Sequence, residues 1–336
     1  AFFLCKLYGK LDRESKGIIQ IERTLSINFR RFLFLFLLKD LLKFLHAVFQ
    51  STLETVNFLL QFGKNDNITQ MIHDIAHRKG AGDELANGSK RMADKFGGMD
   101  FAIQSKGMEL SAYEPRRAVG QGLGYATSNR GGCHLNAGYL VFIEGLGLDI
   151  DSLTPNGKGA LCVMFQNLME AISAAGVCLF TSYPVFPGYV FDHPNAPITR
   201  AVTWAMPHLG PVIKVMNHYG KALQLYIPLI PHTRAIELST GMKMTLGDFL
   251  TVGERGYNTE RVANMVLGQK PGADKLPKKL TDTLQDPKNP KTKVPLKEML
   301  VSYYSNRQWV NGVPTRKVLK RLGIDIPSAE EFPYAY

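Results

Sequence analysis

The chain has 336 residues, 45% apolar and 21% charged, with a formal charge of +11, the balance of a globular protein of one large or two ordinary domains and not of a fibre or a disordered tail. Its four cysteines, Cys5, Cys133, Cys162 and Cys178, form no close pair, which excludes a disulfide framework and a C-x2-C metal finger and fits a reducing, cytoplasmic setting. The positive charge gathers in the first 45 residues and in 275–297 instead of on an aromatic-interleaved face, which argues against nucleic acid and leaves an acidic protein partner open.

The chain opens on Ala1 and not on Met, as a fragment or a processed product would. Residues 1–62 are Phe/Leu-rich and are read as a segment of their own, one or two amphipathic helices with an exposed apolar stripe. In "NFRRFLFLFLLKDLLKFLHAVF" the uninterrupted apolar run, 32–38, stops at Lys39 and Asp40, far short of the ~20 residues that span a bilayer. A twin-arginine signal on Arg30 and Arg31 lacks a clear small-residue cleavage site.

From Asn67 the pattern turns helical: Ile68, Met71, Ile72, Ile75 and Ala76 fall at helical spacing and Gly80 closes the run. A second helix is expected in "GDELANGSKRMADKFGG", with Asp83 as N-cap and Leu85, Met92, Ala93 and Phe96 inward. "GMELSAYEPR" alternates and stops at Pro115, an extended entry to "GLGYATSNRGGCHL" at 122–135. That stretch sets four glycines around Ser128, Asn129, Arg130, Cys133 and His134: a binding loop for an anionic or oxygen-rich guest, or a polar turn between two helices.

"GKGALCVMFQNLMEAISAAGVCLF" reads as a long helix with Leu161, Met164, Phe165, Leu168, Met169 and Ile172 on its apolar face and Cys178 just past its end. The Pro- and Tyr-rich 183–230 is expected to be an irregular, partly helical excursion. Helices return in "TLGDFLTVGERGYNTERVANMVLG" and "PLKEMLVSYYSNRQW", separated by a Pro/Lys linker at 269–295 that is expected to be exposed. Too few strand patterns occur for a sheet-based core, so the fold class is mainly α, divided 1–62, 63–104 and 105–336.

Seven blocks, in order and at matching spacing, resemble the aldehyde:ferredoxin oxidoreductase family of tungsten bis-pterin enzymes: "IAHRKGAGDELANGSKRMADKFGG", "KGMELSAYEPR", "GLGYATSNRGGCHL", "AAGVCLFTSY", "TGMKMTLGDFLTVGERGYNTERVAN", "DKLPKKL" and "LKEMLVSYYSNRQW". The resemblance covers about 65–325 and implies the end of the family's second helical domain plus its third, without the β-rich N-terminal domain or its Cys-x2-Cys-x3-Cys motif. It further implies oxidation of an aldehyde and water to a carboxylic acid at a tungsten (or molybdenum) bis-pterin, with Mg2+ bridging the pterin phosphates. Electrons would leave through a [4Fe-4S] cluster to ferredoxin. The remaining family domain would come from a missing N-terminal part or from a partner chain, with a homodimer as a further partner; the alternative is that this chain is a non-catalytic helical remnant or interaction module of the same fold.

Carried over residue by residue, the resemblance assigns His134 as the proton-transfer group beside the metal, a role an imidazole suits at neutral pH. It assigns Arg130, Asn136, Ser173 and Val177 to pterin contacts, Arg130 through a planar two-point fork. Cys178 is implied as the fourth cluster ligand, with Cys133 and Cys162 structural. The chain departs from the family at Ser173, which usually is Asp, at Asn136, where lysine is common, and at Glu114, which replaces the Asp of a Tyr-Asp-Pro-Arg box.

Overall fold

The structure, a computed structural model, describes residues 65–146, 151–185, 195–208 and 231–325, together with 189, 192, 193, 328 and 332. The expectations for 1–62 and for most of 183–230 lie outside the described residues. The chain divides into two compact units between Ala112 and Tyr113, and helices dominate both, as the sequence patterns lead one to expect.

The first unit contains α1 (Asn65–Ala76), α2 (Ala81–Leu85), α3 (Gly88–Phe96) and a hairpin of β1 (Gln104–Ser105) and β2 (Met108–Glu109). Two expectations need correction here. On α1 Met71 is buried but Ile72 is 55% exposed, so the apolar stripe is narrower than its spacing suggests. The single helix expected on an Asp83 cap is two short ones, with Gly80 at the N-cap and Asp83 inside α2. The cause is packing: Gly82 lies so close to α1 that a Cβ there would sit 2.2 Å from the Asp74 carbonyl, and α2 ends after one turn before the chain re-enters a helix.

The second unit is built around α5 (Lys158–Ala174), which is buried on nearly every face. Against it pack α4 (Val119–Thr127), α8 (Leu246–Val266) and α10 (Leu296–Arg307), the α5–α8 contact being the most extensive. The other elements are a π-helical turn (Phe142–Leu146), a 3-10 turn (Leu179–Val185), α6 (Pro197–His208), α7 (Pro231–Thr240), α9 (Lys278–Thr281), a β3 (Trp309–Val310) and β4 (Val313–Pro314) hairpin, and α11 (Arg316–Leu322). Thr245 and Asp248 form a capping box that starts α8.

Two arginine side chains are taken deep into this core. Arg307 is fully buried; it donates to Asn167 Oδ1 at 2.5 Å, Gln166 Oε1 at 2.8 Å and Tyr303 Oη at 3.2 Å, and its guanidinium carbon lies 4.1 Å from the Tyr257 ring centre. Arg261 pairs with buried Asp274 and donates to the Gly312 carbonyl at 2.9 Å. Asp274 belongs to the stretch expected to be an exposed linker. Leu280, Thr292 and Val294 of that stretch are also buried, and Val294 N donates to the Leu280 carbonyl at 2.9 Å. The Pro/Lys composition therefore decorates the outer side of an ordered strap, pinned by the Arg261–Asp274 pair and by the Tyr304 hydroxyl donating to Asp274 at 2.9 Å.

Candidate functional site

The glycine-rich stretch splits in two. Residues 122–127 belong to α4, and its glycines there serve close packing: a Cβ at Gly124 would lie 2.3 Å from the Ala137 carbonyl oxygen and one at Gly122 2.9 Å from Val294. The N-terminus of α4 is held by Glu144, which accepts from Gly120 N at 2.8 Å and Gln121 N at 2.9 Å and pairs with buried Lys158 at 2.6 Å. A carboxylate at that end complements the helix dipole. At the other end Thr127 is gripped from the core, its carbonyl accepting from the Tyr257 hydroxyl at 3.1 Å and its hydroxyl oxygen from Gln166 Nε2 at 3.0 Å. Gln166 in turn is oriented by Tyr303 and Arg307.

From that base the chain leaves as a true turn, 128–136. Asn136 pins it: its carbonyl accepts from the Ser128 hydroxyl at 2.8 Å and from Asn129 N at 2.9 Å, and its amide nitrogen approaches Glu260 Oε2 at 3.4 Å. Asn129 binds α8 from two sides, donating to the Tyr257 carbonyl and accepting at its own carbonyl from Asn264 Nδ2, both at 2.9 Å. Gly131, at φ 94°, makes the reversal.

His134 stands half-buried beyond this turn among aromatic rings. Its ring centre lies 5.5 Å from that of Tyr113 and 5.7 Å from that of Tyr139, and the two tyrosine hydroxyls are 3.4 Å apart. Tyr139 is itself stacked on Phe142 at 5.9 Å. Burial among these rings pushes the His134 pKa below its ordinary 6.5, so the imidazole is neutral at pH 7 and ready to accept a proton. Arg130 is exposed. Its charge partly offsets what burial and Glu260 do to Glu170 on α5, whose carboxyl remains raised above 4.5.

The other assigned residues sit where α5 ends. The Ser173 carbonyl accepts from Gly176 N at 3.0 Å, and Gly176 at φ 73° turns the chain. Val177 and Cys178 follow, both exposed. The Cys178 carbonyl is held by the Thr181 amide at 3.0 Å and hydroxyl at 2.6 Å. Thus Arg130, His134 and Asn136 share one loop, Ser173, Val177 and Cys178 share one helix end, and α5 carries both sets. Gly138 lies against Phe165 and Gln166, and the seven residues from there to Ser173 correspond to about 10 Å of helix.

Cys162 is buried and its thiol is pushed up to about 12 by burial, as suits an inert packing cysteine. Among the described residues no group of three or more His, Cys, Asp or Glu side chains could hold a metal ion; a four-thiolate cluster would need three ligands besides Cys178. None of the described helices is long and apolar enough to cross a membrane. Sequence reasoning did not single out Tyr113, Tyr139, Glu170 or Glu260. Tyr113 and Glu260 lie inside matching blocks, where their proximity to His134 and Asn136 has no signature in spacing.

The family model for "Aldehyde ferredoxin oxidoreductase, domains 2 & 3" matches residues 47–324. The chain is 34% identical over 273 residues to the tungsten-containing aldehyde ferredoxin oxidoreductase of Pyrococcus horikoshii and 34% identical over 273 residues to that of Pyrococcus abyssi. The protein of the same name from Thermococcus kodakarensis is 34% identical over 271 residues. Each alignment covers 79% of this chain and 38% of the relative, so the chain spans well under half the length of the relatives it matches.

Proposed function

We propose, from the premise that the chain belongs to the aldehyde ferredoxin oxidoreductase family, that it carries the C-terminal helical part of a site that oxidises an aldehyde and water to a carboxylic acid, releasing two protons and two electrons. A tungsten or molybdenum bis-pterin, when bound, would supply the redox chemistry, and a [4Fe-4S] cluster the route for electrons to ferredoxin. The observation that carries the reading is the half-buried imidazole of His134, neutral at pH 7 and set on a turn fixed to α8 at one face and to Gln166 at its base.

In this reading His134 accepts a proton from the water that attacks the aldehyde carbonyl as the new C–O bond forms, and gives it up to solvent afterwards. Tyr113 and Tyr139 fix the ring and exclude water from one side of it. The exposed guanidinium of Arg130 offers a planar fork to a pterin edge or phosphate. Ser173 offers one hydroxyl where the family has a carboxylate, and Val177 a backbone contact. Asn136 acts by holding the turn's shape, since its carbonyl is already engaged twice. Cys178 presents an exposed thiol to the cluster. The engaged Asn136 also favours a second reading, a non-catalytic module of the same fold.

Produced anaerobically in a tungsten-supplied host, the chain alone is expected to be colourless, to carry no stoichiometric iron or tungsten, and to give no aldehyde-dependent viologen reduction. Metal analysis of the purified chain decides the point. Stoichiometric iron and tungsten in it would overturn the view that this chain is one part of a larger site.

A further inference from the structure

The backbone of the residue assigned to the cluster, Cys178, is held by a relay that starts in another helix. The Thr181 hydroxyl, in the 3-10 turn after Cys178, donates to the Cys178 carbonyl at 2.6 Å. The same hydroxyl oxygen is 2.7 Å from His232 Nε2. A threonine hydroxyl has one proton, and here it is committed to Cys178, so the contact to His232 requires the imidazole to donate. His232 lies on α7, only 7% exposed, with its ring stacked on Phe249 at 5.7 Å between centres.

We propose that His232 is a positioning residue for Cys178, acting through Thr181 and locked as the neutral Nε2–H tautomer. This rests on reading Cys178 as a cluster ligand, which gives the fixed thiol its use. The tautomer leaves Nδ1 as a bare acceptor, and Nδ1 is a buried atom with no hydrogen-bond partner. A second proton would place an N–H at that same unpartnered position. Burial accordingly lowers the His232 pKa below 6.5, which keeps the ring in its donating, uncharged form. The stack on Phe249 fixes the ring plane, and with it the direction of the Nε2–H bond. The consequence is that α7, distant in sequence, sets the turn that presents the thiol. Without the relay the Thr181 amide bond remains, but the Cys178 carbonyl loses its shorter, side-chain partner and the turn has only one anchor.

Two measurements on the full chain without iron test this. Long-range 1H–15N correlation spectra of histidine-labelled protein, with His232→Gln identifying the resonance, should show the Nε2–H tautomer at pH 7; an Nδ1–H tautomer or an imidazolium overturns the proposal. In a Cys5→Ser, Cys133→Ser background, iodoacetamide then reports on Cys178, since Cys162 is buried. Because the Cys178 thiol is already exposed, His232→Ala and Thr181→Val should each shift its alkylation rate by about threefold or more, in the same direction, as the turn that fixes its surroundings loses its side-chain anchor. The double variant should show no more than either single change, the mark of one shared pathway. Thr181→Ser and His232→Gln, which keep a hydroxyl and a donor in place, should restore the parent rate. Unchanged rates, or effects of the two substitutions that add, overturn the relay. If His232→Ala does not fold, Thr181→Val and the wild-type spectrum still decide. Because no cluster is present, the relay can stand where cluster binding by Cys178 fails, and the reverse.

Discussion

Arg307→Ala is expected to destabilise the second unit by about 3–5 kcal/mol, the range for truncating a large buried side chain when a cavity and unsatisfied buried acceptors are left behind. The guanidinium is fully buried and donates to neutral acceptors, Gln166, Asn167 and Tyr303, with the Tyr257 ring at its face. Its removal strands Asn167 Oδ1 and takes one of two donors from Gln166 Oε1, to which Tyr303 also donates at 2.7 Å. Gln166 is the residue that holds Thr127 at the foot of the His134 turn. The loss therefore reaches the site as well as the core. Arg307→Lys is expected to recover little, because a single ammonium cannot reach amide oxygens on two adjacent residues and a tyrosine hydroxyl in one plane. Urea unfolding monitored by tryptophan fluorescence checks this, Trp309 lying 5.6 Å from the guanidinium. A change below about 1 kcal/mol, no more than one ordinary hydrogen bond, would contradict it.

Gly253→Ala is the second large effect. Gly253 lies at the α5–α8 crossing, where a Cβ would sit 1.8 Å from the Asn167 carbonyl oxygen and 2.9 Å from Ala171 N. Backbone atoms cannot swing aside as a side-chain tip can, so the helices must separate by more than an ångström. Interiors are packed like crystals, and overpacking of this kind costs about 3 kcal/mol or more. The crossing is also where Glu170 faces Gly256, so separation moves the carboxylate beneath Arg130. Thermal unfolding by circular dichroism should show a loss of about 6 °C or more in melting temperature, by the usual scaling for a unit of this size. A melting point within a degree or two of the parent would show that the α5–α8 distance is not fixed as described.

These two residues also show what the sequence could and could not reveal. The long helix α5 follows from its periodic apolar residues, because periodicity reports burial directly, and α8 and α10 fall in the two stretches expected to be helical. Glycines carry two meanings that one letter cannot separate. Gly131 frees the backbone for a turn, whereas Gly122, Gly124 and Gly253 lie within helices and make room for a neighbour. The 122–135 stretch therefore read as one loop and is half helix. Asp274, Leu280, Thr292 and Val294 are buried singly among prolines and lysines, and isolated buried positions leave no period to detect. At the site, His134, Arg130 and Asn136 are found on one turn and Ser173, Val177 and Cys178 at one helix end. The tyrosines beside His134, and the Glu170 carboxyl that senses the charge of Arg130, are neighbours through tertiary contacts alone.

The central claim is that this chain provides one ligand of a cluster whose other ligands come from the family's N-terminal part. Its most direct test is the iron content of this chain assembled anaerobically, with iron and sulfide, on the N-terminal part of a family relative that bears the Cys-x2-Cys-x3-Cys motif. The account predicts about four iron atoms per complex, as a [4Fe-4S] cluster requires, lost on Cys178→Ser and kept on Cys162→Ser. A complex that forms without iron, or one whose iron is indifferent to Cys178→Ser, would contradict it.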